Sequence, residues 1–281
     1  MLLRRGVLGS SALAAMGVQS TRGPWGAQCA SKSTVSAIPK DVTVYQYKIC
    51  PFCNRVKSYL DYLRIPYKTV EVNPLTKGEV RFSKDYRKVP IVLFEGLQVN
   101  DSSPIIDHIS NDIVKVDPVL KEKHNALFTN DSEKWSEWSE KRLAVMLYPN
   151  ITRSMEESWE CFEYTNHVKS WNVLNRMTTR ALGSLAMSFA NGKIKKKYNI
   201  VDERKELQEC LEEWTSALGA KPFLHGDKIT LPDLYVFGVL RAIDFEGSRT
   251  HKEIMGQNAR LASWYGRMKG EIFSCEQLET A

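Results

Sequence analysis

The chemistry in this sequence is concentrated in Cys50-Pro51-Phe52-Cys53, two thiols three positions apart. Ahead of them Val42, Val44 and Tyr45 read as a short buried strand, and behind them Val56, Tyr59, Leu60 and Leu63 recur at helical spacing. Both cysteines therefore belong to a strand-to-helix turn, at the helix N-terminus. Unpaired backbone N–H groups and the positive end of the helix dipole favour an anion there, so the Cys50 thiol is expected to lose its proton more readily than a free cysteine. Pro51 suits the first helical turn, where its missing N–H costs nothing. Two other uses of the pair are apolar packing and half of a zinc site. The chain has no second C-x-x-C or C-x-x-H to complete a metal site, so thiol chemistry is the stronger reading.

The elements that would position these thiols follow in chain order. From Asp41 to about Lys115 the pattern is strand, helix, strand, helix, two strands, helix. The second strand spans Tyr67 to Val72 and closes at Asn73-Pro74; the next two, Ile91 to Glu95 and Leu97 to Val99, turn at Glu95-Gly96. The last helix opens after Asp101-Ser102-Ser103-Pro104, where Asp or Ser can cap. A strand-helix-strand start followed by a hairpin gives a mixed sheet in the thioredoxin-like order.

A polar connector is expected at 116–131, and an all-helical half at 132–275. Its helices run from Asp131 to Leu147, from Trp171 to Phe189 and from Glu203 to Leu218. The Trp and Met stripes on them, including Leu174, Met177, Leu182 and Leu185, are expected to be core. Lys193, Lys195, Lys196 and Lys197 beside Gly192 are expected in a solvated loop between helices, with contact to acidic lipid as the alternative. Thr230-Leu231-Pro232-Asp233 reads as a capping box that nucleates a buried helix. The fold class is α/β plus all-α, a thioredoxin-like domain at 41–115 followed by a helical domain.

Length and composition agree with two domains: 281 residues, 43% hydrophobic and 26% charged. The net charge of +6 is unevenly spread, because residues 1–40 hold five of the 39 basic groups and no acid, leaving 34 against 33 elsewhere. A nucleic-acid partner has little electrostatic support. That N-terminal stretch, rich in Arg, Ser and Ala, has the composition of a mitochondrial-type targeting segment, with a signal peptide or weak membrane anchor as alternatives. Its uncharged run from Gly6 to Thr21 is short for a membrane span. The six cysteines (29, 50, 53, 161, 210 and 275) do not describe a disulfide scaffold, and Cys161 and Cys210 are expected in the core.

A C-P-F-C thioredoxin-like half joined to a helical half with a T-x-P-D cap resembles the glutathione transferase superfamily. The strings YQYKICPFCNRVK, PYKTVEVNP, YRKVPIV, NDSSPII and PDLYVFGVLR are similar to the membrane-associated prostaglandin E synthase type 2 family, over about Asp41 to Lys269. Ile109 to Asp131 is shorter here than in vertebrate members. The resemblance implies that Cys50 is the essential thiol, Cys53 its less critical neighbour and Tyr47 a hydrogen-bonding partner in the site. It also implies that Val89, before a cis Pro90, offers its backbone to glutathione, and that Asp101 and Ser102 hold the γ-glutamyl end. The implied reaction is isomerisation of the lipid endoperoxide prostaglandin H2 to prostaglandin E2. Implied with it are a haem whose iron takes its ligand from glutathione, a form that then cleaves the substrate, and a homodimer. Association with Golgi or mitochondrial membrane through the N-terminal segment, a soluble processed form, and the mitochondrial matrix are the implied locations. Two other functions fit the same residues: a glutathione-dependent thiol-disulfide reductase, and a non-catalytic haem- or glutathione-binding scaffold.

Overall fold

The computed structural model describes residues 38–277. The expected targeting segment and Cys29 lie outside the described residues. Strand β1 (Val42–Gln46) buries alternate residues and lies inside a four-stranded sheet of order β2-β1-β3-β4. It pairs parallel with β2 (Lys68–Glu71) and antiparallel with β3 (Ile91–Phe94), which pairs antiparallel with β4 (Leu97–Asn100). Glu95 and Gly96 take φ of 50° and 90° in the tight β3–β4 turn, the geometry that a two-residue hairpin matched to strand twist requires. Helix α1 (Pro51–Leu63) crosses from β1 to β2, and α2 (Ser102–His108) runs on through one π turn and one 3-10 turn to Val116.

The helix expected between β2 and β3 is one 3-10 turn at Gly78–Val80. Asn73 explains why: its Oδ1 accepts from the N–H groups of Leu75 and Thr76. That local Asx turn offers the backbone an alternative to a helix. Conversely, the expected connector carries α3 (Pro118–Asn125), started by the Asp117 carboxylate, which accepts from Val119 and Leu120 at 2.9 and 3.1 Å. The remaining elements are α4 (Ser132–Trp138), α5 (Ala144–Ile151), α6 (Met155–Cys161), α7 (Val173–Tyr198), α8 (Glu203–Leu218), α9 (Leu231–Arg241), α10 (Arg249–Gln257) and α11 (Ala259–Glu271).

Trp135, Trp138, Trp214 and Trp264 meet edge to face in the helical core, with Trp214 centroids 5.0 Å from Trp135 and 5.2 Å from Trp264. Cys210 and Cys161 are buried, as expected. Helix α7 corrects two expectations. Lys193 to Lys197 lie within it rather than in a loop, and Leu174, Met177, Leu182 and Leu185 face outward rather than into the core. Its buried positions are the small or polar Thr179, Gly183, Ser184 and Asn191. A Cβ on Gly183 would come within 2.6 Å of the Phe162 ring, so only this face allows the close approach.

The two halves join where α1 lies on α9. Asp233 caps α9: its buried carboxylate accepts from Thr230 N and Oγ1, Leu224 N and Trp264 Nε1 at 2.7–3.0 Å. Burial, the largest influence, holds its pKa above the usual carboxylate value. Fully buried Asp61 of α1 takes Arg241 of α9 at 2.5 Å and the backbone N–H of Cys275 at 2.7 Å. The segment after α11 then pairs with Tyr67 through Cys275 O and Gln277 N, covering the free edge beside β2. No helix among the described residues is long and apolar enough to cross a membrane.

Gly238 of α9 sets the spacing of the seam, since a Cβ there would stand 2.6 Å from the Arg55 Cα. Gly238→Ala is expected to lower unfolding free energy by about 2–3 kcal/mol. Gly192→Ala, at an open position of α7, is expected to be neutral or to stabilise by up to about 1 kcal/mol. Urea denaturation of both variants checks the contrast; equal effects would mean that the seam relaxes freely.

Candidate active site

The turn carrying the thiols is held by backbone and by one buried amide. Cys50 is the N-cap of α1 and its N–H donates to Tyr47 O at 2.9 Å. Asn54, which nothing in the sequence reading singled out, donates through Nδ2 to Lys48 O at 2.8 Å and Cys50 O at 2.9 Å. Both cysteines are free thiols and buried. The neighbouring Cys53 thiol, acting as a donor toward the Cys50 sulfur, is the largest influence lowering the Cys50 pKa; the N–H groups of Cys53 and Phe52 add to it against burial. Cys53 is pushed well above the ordinary thiol value, first by burial and then by acting as that donor. The two thiols are thus pushed in opposite directions, Cys50 toward easier ionisation and Cys53 toward keeping its proton.

Sheet register assembles the other residues around it. The antiparallel pairing Tyr45↔Ile91 runs Tyr47 alongside Val89, and the Val89–Pro90 peptide is cis. Pro90 O accepts from Asp101 N at 3.1 Å, which joins the two expected glutathione-binding segments directly. Asp101 adopts φ 72° and its carboxylate caps Ser102 N at 2.7 Å. The Ser102 hydroxyl is buried without a hydrogen-bond partner among the described residues. An orphaned hydroxyl beside helix-start N–H groups suits a ligand carboxylate, and the neighbouring Asp101 carboxylate suits an ammonium. These residues fit the γ-glutamyl end of glutathione.

Tyr47 packs on the buried cluster of Val72, Val80 and Ile91, and Tyr86 and Val89 pack on the same cluster. Burial, then the neighbouring Cys50 and Cys53 thiols, raises the Tyr47 phenol to about 12. Tyr86, half-buried, reaches about 12 by burial, with Asp101, Cys53 and Cys50 as electrostatic neighbours. From the helical half, Tyr148 of α5 is raised by burial and then by Cys50, Cys53 and Tyr47. Burial therefore keeps three phenols protonated within electrostatic reach of the thiols. Tyr86 opens the YRKVPIV string but carries no role there, and Tyr148 lies outside every string that resembles the family, so the fold is what brings both to the thiols.

Glu71, at the end of β2, accepts Lys48 N at 2.8 Å and is raised by burial to about 7. Lys57, one turn beyond Cys53 on α1, is buried, and burial lowers its pKa. Behind them the helical half touches the rim: Trp171 Nε1 donates to Glu79 at 3.1 Å, and Asn73 Nδ2 donates to Thr179 Oγ1 at 2.9 Å. A cleft of about 600 Å³ between the connector, α4 and α9 is lined by none of the expected site residues; Ser136 and Glu140 in it bind Arg55.

Comparison with known proteins places this geometry. The glutathione S-transferase N-terminal domain family matches residues 44–112 and its C-terminal domain family matches 175–267. Prostaglandin E synthase 2 of Danio rerio is 32% identical, covering 81% of this chain and 70% of that protein. The Mus musculus protein of the same name is 31% identical over 82% of this chain and 70% of its own. The chain belongs to the prostaglandin E synthase 2 family of the glutathione transferase superfamily. Its fold is also that of a glutathione transferase from Phanerochaete chrysosporium, with TM-score 0.56, 14% identity, and coverage of 83% of this chain and 98% of that one. A glutathione S-transferase from Sinorhizobium meliloti gives TM-score 0.52 at 13% identity, covering 81% of this chain and 87% of that one.

The charge of Glu71 opposes ionisation of Cys50. Glu71→Gln is therefore expected to lower the Cys50 pKa and speed its alkylation by iodoacetamide between about pH 6 and 8. Below the Glu71 value of about 7 the carboxyl is increasingly neutral, so the difference from the parent should shrink as pH falls. Slower alkylation of the variant would show that Glu71 acts on Cys50 by another route.

Proposed function

We propose that the protein isomerises prostaglandin H2 to prostaglandin E2 with Cys50 as its reacting thiol and glutathione as its cofactor. The observation that carries this reading is the asymmetry of the two thiols. Isomerisation gains and loses no electrons overall, so it needs one ready thiolate and no turning over of a disulfide. The Cys50 thiolate takes the proton from the carbon that becomes the ketone, whose C–H electrons form the C=O bond as the O–O bond breaks. The departing oxygen, hydrogen-bonded by the Tyr47 phenol, becomes a hydroxyl by taking up the proton that Cys50 removed, which returns Cys50 to its thiolate. The Cys53 S–H keeps Cys50 ionised between turnovers.

Glutathione would be held by Ser102, Asp101 and the Val89 backbone, and would supply a second thiol to the site. Haem enters this proposal through the family resemblance alone, and no step is assigned to it; a Soret band that forms on mixing haem and glutathione with the protein is its test. Association with membrane through the basic N-terminal segment belongs to the same proposal.

A second reading rests on the nearness of Cys53 to Cys50, one helical turn away on α1. A thiol this close to the attacking sulfur could resolve a mixed disulfide, which would make the protein a glutathione-dependent reductase. The readings part on substitution. Cys50→Ser is expected to cut formation of prostaglandin E2 by about 10²–10⁴-fold. Cys53→Ser, which keeps a donor, should cost less than about tenfold. Cys53→Ala removes the donor, so the Cys50 pKa rises and the acidic limb of the pH–rate profile moves to higher pH. Equal loss from Cys50→Ser and Cys53→Ser, with strong reduction of hydroxyethyl disulfide, would replace the isomerase reading by the reductase one.

A further inference from the structure

Helix α7 turns its bulky apolar side chains to solvent. Leu174 is 69% exposed, Leu182 53%, Leu185 41% and Phe189 72%. Leu182, Leu185, Phe189, Lys193 and Lys196 follow one another at steps of three and four residues, so the apolar face runs into an exposed basic one along one side of the helix. Neighbouring α6 adds Met155 and Trp159, also exposed. This face cannot be exchanged for the inner one. Gly183 must meet Phe162, and Asn191 Nδ2 binds Pro149 O at 3.1 Å and Thr152 O at 2.7 Å.

The charge is as one-sided as the apolar face. From Tyr164 to Val201 there is no carboxylate, while α7 alone holds Arg176, Arg180, Lys193, Lys195, Lys196 and Lys197. Arg180 is engaged by Glu163 and Lys195 by Glu203. Lys193 and Lys196 form no ion pair among the described residues and are left to face outward with Phe189.

We infer that the outward face of α7 docks on an anionic lipid bilayer, the helix lying in the interfacial plane. Exposed leucines and a phenylalanine suit the acyl boundary, and lysines at the end of the same face suit lipid phosphates. Six cations keep the helix from spanning the bilayer. A second copy is a poor occupant: pairing α7 with itself sets two basic helices without a single carboxylate against each other. A protruding ridge of this kind also enters a fluid phase without the complementary groove that a protein partner would have to supply. The inference is independent of the reaction proposed for Cys50.

Sedimentation of the full chain with vesicles tests it. Binding to phosphatidylcholine containing about a third phosphatidylserine should exceed binding to phosphatidylcholine alone by about tenfold or more, and should weaken with salt. Leu185→Gln with Phe189→Gln should reduce binding to the anionic vesicles about tenfold or more. Lys193→Glu with Lys196→Glu should abolish the preference for anionic lipid. Thermal melting of both variants should match the parent, since the altered side chains are exposed. Unchanged vesicle binding by the variants would assign all attachment to residues 1–37 and overturn the inference. A fall in molecular mass by light scattering, with vesicle binding intact, would overturn it in favour of a protein interface.

Discussion

Helix α1 has to satisfy two neighbours at once, and the spacing between it and α9 is the constraint on which the rest depends. Backbone meets backbone there because Gly238 leaves room for Arg55. The approach buries Asp61 and obliges α9 to supply Arg241 as its partner. Removing one member of such a buried pair leaves a charge uncompensated, at about 3–5 kcal/mol. The seam therefore fixes α1 along its length, and the position of its first turn follows. Cys50 and Cys53 are presented by a helix whose other end is locked into the opposite half of the molecule.

That rigidity gives the thiol pair its direction. In an unconstrained dithiol either sulfur could carry the charge. Here the start of α1 points two N–H groups at Cys50, while Cys53 is set one turn inside, where burial favours its neutral form. Asn54 ties the carbonyls before the turn and keeps those N–H groups aimed. The phenols of Tyr47, Tyr86 and Tyr148 remain protonated around them. The site thus sets one thiol whose ionisation is favoured among groups that hold their protons, an arrangement obtained from burial and helix geometry rather than from a dedicated histidine.

The sequence carried this first turn legibly because its signals are local: a strand pattern, C-P-F-C, and helical spacing within about twenty residues. The same holds for the Thr230–Asp233 cap and for the strings around Pro90 and Asp101. What it hid depends on distance or on choice. Glu71 and Tyr86 sit inside strings that resemble the family but give them no role, Tyr148 sits in none, and all three join the site only through the fold. Helix α7 shows the limit of periodicity. Its spacing correctly implied that Leu174, Leu182 and Leu185 share a side, but which side turns inward was decided by Gly183 against Phe162 and by Asn73 reaching Thr179. Between β2 and β3 the Asn73 turn likewise prevailed over the helical expectation.

The segment that pairs with Tyr67 bears on how the chain matures. Glu276 lies 207 residues beyond Thr69, yet its carboxylate receives the Thr69 hydroxyl and its neighbours complete the sheet edge. Domains made early in synthesis usually fold before later ones emerge. Here the thioredoxin-like half keeps an open edge, and Asp61 lacks both its N–H donor and its arginine, until the whole helical half has left the ribosome. Translation therefore produces a provisional first domain, and the segment after α11 seals it.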